Sequence, residues 1–134
     1  MFLPILFILQ VYSQPLYQHS LINNPVDSHS ITSLKLSADG SMFVIGAFGY
    51  KVYIYHEENK KFALTQTLTP TDIYSVFTTS DGQWLVTGNA NGTVSIRTKE
   101  NKNRFTPNQT LQVEDSKVLS LFLTDDFKML GIGT

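Results

Sequence analysis

Apolar and polar positions along this chain fall into short runs that return in the same order. Ile31 to Ser37 is rich in β-formers and stops at Asp39-Gly40, a pair suited to a tight hairpin because glycine tolerates positive φ. Met42 to Ala47 is nearly continuous apolar chain, as a strand buried on both faces requires. "AFGYK" then turns the chain, Lys51 to Tyr55 alternates, and the polar stretch "HEENKK" leads to a fourth run, Phe62 to Leu68. From Ile73 the order starts again, with Asp81-Gly82 at the first hairpin, Asn91-Gly92 at the second and "KENKNR" as the polar stretch. At an offset of 42 residues Ile31 falls on Ile73, Ser33 on Ser75, Gly46 on Gly88 and Ile54 on Ile96. An offset of 45 carries Ile73 to Val118, Ser75 to Ser120, Asp81 to Asp126 and Gly88 to Gly133.

Four short strands in each period of roughly 40–45 residues predict the blade of a β-propeller. The fold class is all-β: a partial propeller of four-stranded antiparallel blades over 14–134, preceded by a short apolar N-terminal segment. An outer strand is expected at 16–22, blades at 31–68 and 73–111, and half a blade at 118–134. The outer strand is read from "YQHSL", which matches "LTQTL" and "PNQTL" just ahead of the later copies. An outer strand at the start and inner strands at the end would be the two halves of a closing blade. Propellers close with roughly four to eight blades, so this count predicts either a fragment of a longer protein or a ring completed by other chains.

"ITSLKLSADGSMFVIGA" and "SDGQWLVTGNANGTVSI" resemble the WD-repeat family of β-propellers, and the likeness spans Ile31 to Thr134. The departures are specific. The family's Trp-Asp pair is Tyr55-His56 in one copy and Arg97-Thr98 in the next, and its Gly-His pair ahead of the first strand is absent. The acidic residue of the second hairpin is replaced by Gly49 and Asn91. In the family these positions form a buried hydrogen-bonded network, so the resemblance implies divergent blades. It also implies a non-catalytic scaffold for other proteins. Its partner-facing loops correspond here to Phe48, Tyr50, Pro70, Thr71, Asp72, Asn89 and Asn91, with Phe48 and Tyr50 as the aromatic anchors.

Composition narrows the alternatives. Hydrophobic content of 42% and a net charge of −1 describe an ordinary globular chain, without the basic face of a nucleic-acid binder. Lys99, Lys102 and Arg104 are diluted by Glu100 and neighbouring asparagines, and read as a solvated loop. With no cysteine there is no disulfide and no thiolate zinc site. Met1 to Leu9 is apolar but shorter than the about 20 residues of a membrane span. It fits the core of a secretory signal over 1–13, with small residues at Val11 and Ser13 before a cut at Gln14, although no Lys or Arg precedes it. The rival reading is an apolar strand of a preceding blade. The secretory route is therefore set against a cytoplasmic location, and on that route Asn91 and Asn108 become glycosylation acceptors.

Catalytic chemistry finds no foothold in the pattern. His19, His29 and His56 form no metal-binding pair, so no metal or cofactor is expected. "GIGT" matches the ends of the earlier second strands, and the repeat assigns Asp126 to a hairpin turn. The inner strands place Ser33, Ser75 and Ser120 at one matched position and Lys35, Phe77 and Phe122 at another. The alternative function is a secretory-route propeller enzyme or carbohydrate-binding protein whose site lies in missing blades. Blade faces left without neighbours predict self-association.

Overall fold

The computed structural model describes residues 20–22, 30–47, 51–70 and 72–134. Eleven strands are described: β1 Ser20–Ile22, β2 Ile31–Leu36, β3 Met42–Ala47, β4 Lys51–Glu58, β5 Lys61–Leu68, β6 Ile73–Thr78, β7 Trp84–Asn89, β8 Thr93–Glu100, β9 Arg104–Gln112, β10 Ser120–Leu123 and β11 Leu130–Gly133. They form three sheets, ordered β1-β5-β4-β3-β2, β6-β7-β8-β9 and β10-β11. Within each copy the pairing is antiparallel between strands consecutive in sequence. Even the irregularities repeat: the register shifts between Ile31 and Ser33 and again between Ile73 and Ser75. The all-β class and the blade architecture thus stand as expected.

Two boundaries differ from the sequence pattern. The polar stretches were expected to be loops, yet β4 runs on to Glu58 and turns back at Asn59-Lys60, both with positive φ of 52° and 62°. Two successive positive-φ residues are what a two-residue hairpin of matching twist needs, so the loop shrinks to its tip. In the second copy β8 runs to Glu100, a 3-10 turn covers Asn101–Asn103, and β9 starts at Arg104. The other difference is β1. It pairs in parallel with β5, Ser20 opposite Lys61, and makes the first sheet five-stranded. The part of 16–22 ahead of Ser20, and the 1–13 segment, lie outside the described residues.

The sheets stack because the central strands β3, β4 and β7 each carry apolar side chains on both faces. One face of the first sheet gathers Phe43, Ile45, Ala47, Tyr53, Tyr55 and Phe62. Phe43 stacks on Tyr55 with ring centroids 4.6 Å apart, and meets the edge of Phe62 at the same distance. The opposite face, with Met42, Val44, Val52 and Ile54, packs on Ile73, Val76, Leu85 and Phe105 of the second sheet. Phe77, Val86, Val94 and Ile96 then pack with Val118 and Leu123 of the third copy. Burial of such side chains, at roughly 1.5–3 kcal/mol each, is the main force holding the stack.

Close approach between copies explains the repeated glycine. A Cβ at Gly46 would lie 2.9 Å from Ile73 Cγ2, and one at Gly88 would lie 2.4 Å from Val118 Cγ1. Thus the aliphatic residue that leads each copy seats against the glycine of the copy before. Polar ties fix the register beside it. Thr32 Oγ1 donates to Ile73 O at 3.0 Å, Val76 N donates to Ser33 Oγ at 3.1 Å, and Ser75 Oγ donates to Val118 O at 2.8 Å.

Candidate functional site

The first hairpin of each copy is built by one local rule. A Ser or Thr, any residue, and an Asp occupy Ser37-Ala38-Asp39, Thr79-Ser80-Asp81 and Thr124-Asp125-Asp126. Ser37 Oγ donates to Asp39 Oδ1 at 2.7 Å and Thr79 Oγ1 to Asp81 Oδ1 at 2.6 Å. The same carboxylate oxygen accepts the backbone N–H two residues on, from Ser41 at 3.0 Å, Gln83 at 3.0 Å and Lys128 at 3.2 Å. The hydroxyls in turn accept N–H from Met42, Trp84 and Met129 at 3.0–3.2 Å. The Ser41 N–H, helped by the Ser37 and Ser41 hydroxyls, pulls the Asp39 carboxyl down to about 2. Gly40 and Gly82 take the positive-φ position, whereas the third copy puts Phe127 there at φ 63°. Its ring lies on Trp84, centroids 3.7 Å apart.

These hairpins are also joined across copies. Ala38 N donates to Ser80 O at 3.1 Å, and Ser80 donates through both its N–H (3.0 Å) and its hydroxyl to the Asp125 carboxylate. That hydroxyl, then the N–H, holds the Asp125 carboxyl below its ordinary value. The joined hairpins frame a cavity of about 430 Å³ lined by residues of all three copies. Lys35 and Leu36 of β2, Phe77 of β6 and Phe122 of β10 supply its walls, with Ser80 and Asp125 at the hairpins. Phe77 and Phe122 meet edge to face with centroids 5.7 Å apart, and Lys35 Nζ stands 4.7 Å over the Phe77 ring. Phe122 is 54% exposed and Leu36 39%, so the aromatic and aliphatic surface opens to solvent.

The described loop residues singled out in the sequence, Pro70, Asp72, Asn89 and Asn91, sit at the other end of the strands, roughly 20 Å away over six residues. Phe48, Tyr50 and Thr71 lie outside the described residues. Ala90 N donates to Asp72 O at 2.8 Å, which brings the loop before β6 against the β7–β8 hairpin. Pro70 and Asp72 are half-buried there, and Asn91 is exposed, with its Oδ1 accepting from Thr93 N at 3.1 Å. Asn89 is only 4% exposed, and its carbonyl accepts from Gly92 and Val118, so it organises the loop from inside. Of these loop residues Asn91 is the exposed one, Pro70 and Asp72 are half-buried and Asn89 is buried. Asn108 is exposed on β9.

At the positions of the family's Trp-Asp pair, Tyr55 is fully buried, and the lost hydration drives its hydroxyl up to about 12, with Tyr53 adding to the effect. His56 is 4% exposed and its Nδ1 lies 2.7 Å from Thr65 Oγ1. Thr65 uses its one proton on Ile54 O at 3.1 Å, so Nδ1–H is the donor and Nε2 is left as a buried lone pair without a hydrogen bond. Arg97 donates to Thr87 Oγ1 at 3.1 Å. Lys99, read as a solvated loop residue, is half-buried on β8 with its ammonium 5.8 Å from the Phe105 ring. Among the described residues no group of three His, Asp or Glu could hold a metal ion, and no helix is long and apolar enough to cross a membrane.

In the sequence Lys35, Phe77 and Phe122 share one matched position that carries no catalytic pattern. The signal was there: two phenylalanines and a lysine at one matched inner-strand position. The pattern cannot show that the hairpins beside them close a cavity.

Comparison with known proteins agrees with the blade geometry. The model of the WD domain, G-beta repeat, matches residues 62–97, from β5 into β8. Among solved structures, Saccharomyces cerevisiae Sqt1 superposes with a TM-score of 0.62 at 16% identity, covering 71% of this chain and 26% of its own. A candidate 6-phosphogluconolactonase from Bacteroides uniformis gives 0.60 at 16% identity, covering 74% and 31%. A second from Bacteroides fragilis gives 0.61 at 16% identity, covering 74% and 30%. The chain thus spans about a quarter to a third of the length of these structures. No curated protein sequence matches it.

Proposed function

We propose, from the premise that this chain is an array of WD-repeat-like β-propeller blades, that it is a non-catalytic platform for other proteins. The observation that carries this reading is the cavity of about 430 Å³ walled by Phe77, Phe122 and Leu36. An exposed aromatic beside aliphatic surface, held on rigid strands, is the composition of a binding anchor. The described side chains around it hold no pair of acid and base free for proton transfer, because the Asp125 carboxylate is engaged by Ser80. The loop end is a second surface in the same reading, with Phe48, Tyr50, Pro70, Thr71, Asp72 and Asn91 as its contact residues.

Capture of binding partners by the tagged chain, quantified by mass spectrometry, tests the reading. Phe122→Ala should deplete one set of partners and the Phe48→Ala/Tyr50→Ala pair another, with the circular dichroism of each variant unchanged. Partner sets identical to wild type in both would sink it. Self-association belongs to the same proposal, supported by exposed Leu119 and Met129. A single monomeric species in sedimentation at micromolar concentration removes that part. The two structural neighbours described as candidate 6-phosphogluconolactonases favour a second reading, a propeller enzyme acting on a sugar derivative. Turnover of a phosphosugar lactone by the purified chain, above the spontaneous rate and absent after heat inactivation, would establish it over the platform.

A further inference from the structure

We infer that this chain docks head to tail on a second copy of itself, with Ile31 of one copy seated against Gly133 of the other. This rests on the self-association in the platform reading and names its two surfaces. The repeated joint between sheets carries it. Each sheet sets a serine of its first strand opposite a glycine of its second: Ser33 and Gly46, Ser75 and Gly88, Ser120 and Gly133. The sheet that follows fills the first two pairs. Ile73 stands so close to Gly46 that a Cβ there would lie 2.9 Å from its Cγ2, and Val76 N donates to Ser33 Oγ at 3.1 Å. Val118 takes the same place against Gly88, and Ser75 Oγ donates to Val118 O at 2.8 Å. Thus the glycine admits a leading aliphatic side chain and the serine hydroxyl bonds the backbone of the incoming strand. A hydroxyl both donates and accepts, so either direction serves.

The third pair is open among the described residues. A Cβ at Gly133 would meet only Ser120, and the Ser120 hydroxyl makes no hydrogen bond. Leu119, whose N–H donates to Gly133 O at 2.8 Å, is 57% exposed at the rim. The matching plug is on the same chain. Ile73 and Val118, the leading residues that are seated, are completely buried, whereas Ile31, the leading residue of the first sheet, is 42% exposed.

Plug and seat lie on the first and third sheets of the stack, and three sheets are too few to curl round and join, since propellers close with roughly four to eight. The two therefore meet between chains. Three sheets from each of two chains make six, within that range, so two such contacts can close a ring. The docking also leaves the packed interior alone. The existing joints run along the inner strands, β6 on β2 and β3, then β10 on β6 and β7. By the same rule β2 of the second copy lies on β10 and β11, and the buried aromatic cluster of β3, β4 and β5 stays closed.

Sedimentation velocity of the full chain at micromolar concentration should show a dimer that dissociates on dilution. Ile31→Asp removes the plug and Gly133→Leu fills the seat, and each should weaken the dimer at least about tenfold, while Ile31→Val keeps it. Native mass spectrometry of the two defective variants mixed in equal amounts should recover a heterodimer, because one retains the seat and the other the plug. Should Gly133→Leu lose its β-sheet circular dichroism, Ser120→Val fills the seat from the neighbouring strand and is read in the same way. A wild-type dimer untouched by Ile31→Asp overturns the inference and leaves self-association through another surface. Defective variants that stay monomeric when mixed overturn it too, and point to a two-fold contact between like surfaces. A monomeric wild type overturns it together with self-association, yet partners depleted by Phe122→Ala would still uphold the platform.

Discussion

At Phe127 the third hairpin carries a cost its two counterparts avoid. The position demands positive φ, 73° at Gly40 and 65° at Gly82, and a side chain with a Cβ is strained there. The ring contact with Trp84 offsets that strain. Removing the ring while keeping the Cβ should therefore be worse than removing both. Phe127→Ala is expected to be less stable than Phe127→Gly by about 1 kcal/mol, read from urea unfolding by Trp84 fluorescence. Equal stabilities would show that the strain is not borne at this residue. His56 shows a second residue-level tension. Burial, reinforced by the nearby charge of Lys99, lowers its pKa to about 4. The unfolded chain protonates this imidazole near 6.5 while the folded chain keeps it neutral, so stability is full above that pH and falls between about 6.5 and 4. The loss from this group can reach about 3 kcal/mol. His56→Asn retains an N–H for Thr65 but does not titrate, and should flatten the pH dependence in that window. An unchanged slope would move the effect to other groups.

Elements interlock through one repeated contact, the leading aliphatic residue of a copy against the glycine of the copy before. Gly88→Ala should press on Val118 and Ser75, whose atoms lie 2.4 and 2.5 Å from the new Cβ. The expected loss is about 1–3 kcal/mol. Val118→Ala in the same chain should recover part of it, because the two side chains share one space. Strictly additive losses would mean that the sheets relax apart instead of clashing. This coupling also marks what was legible in the sequence. The Asp-Gly and Asn-Gly turns, the apolar second strands and the matched glycines are local signals, and they announce the repeated short strands of an all-β blade fold. Asn59-Lys60 was not legible as a tight turn, since neither residue is a glycine. The parallel pairing of β1 with β5 and the cavity both depend on which distant segments meet, and no local pattern encodes that. Hence the expected contact residues fell on the loop end, where Asn89 is buried, while the cavity opened at the hairpin end.

Across the whole molecule, stability should be graded from sheet to sheet. Copies in a repeat array contact their neighbours, so opening proceeds unit by unit rather than all at once. The first two sheets hold the strands of six to nine residues and the fully buried side chains Tyr55, Phe43, Ile54, Leu85 and Val86. The third has two four-residue strands, with β11 half-buried throughout. It is fastened by Val118, completely buried, by Ser75 Oγ to Val118 O, and by Val118 N to Asn89 O at 3.0 Å. Native-state hydrogen exchange should therefore find the lowest protection in β10 and β11 and the highest in β3, β4 and β7. Val118→Ala removes about 2 kcal/mol of burial at the fastening. Protection of β10 and β11 should drop by that amount, with smaller loss in β6 and none in β4 and β5. Because the cavity needs Phe122 of β10 beside Phe77 of β6, the same variant should weaken binding there without touching either ring. A uniform loss across all three sheets would show that the array unfolds as one cooperative unit, and the link between the third sheet's stability and the cavity would then be lost.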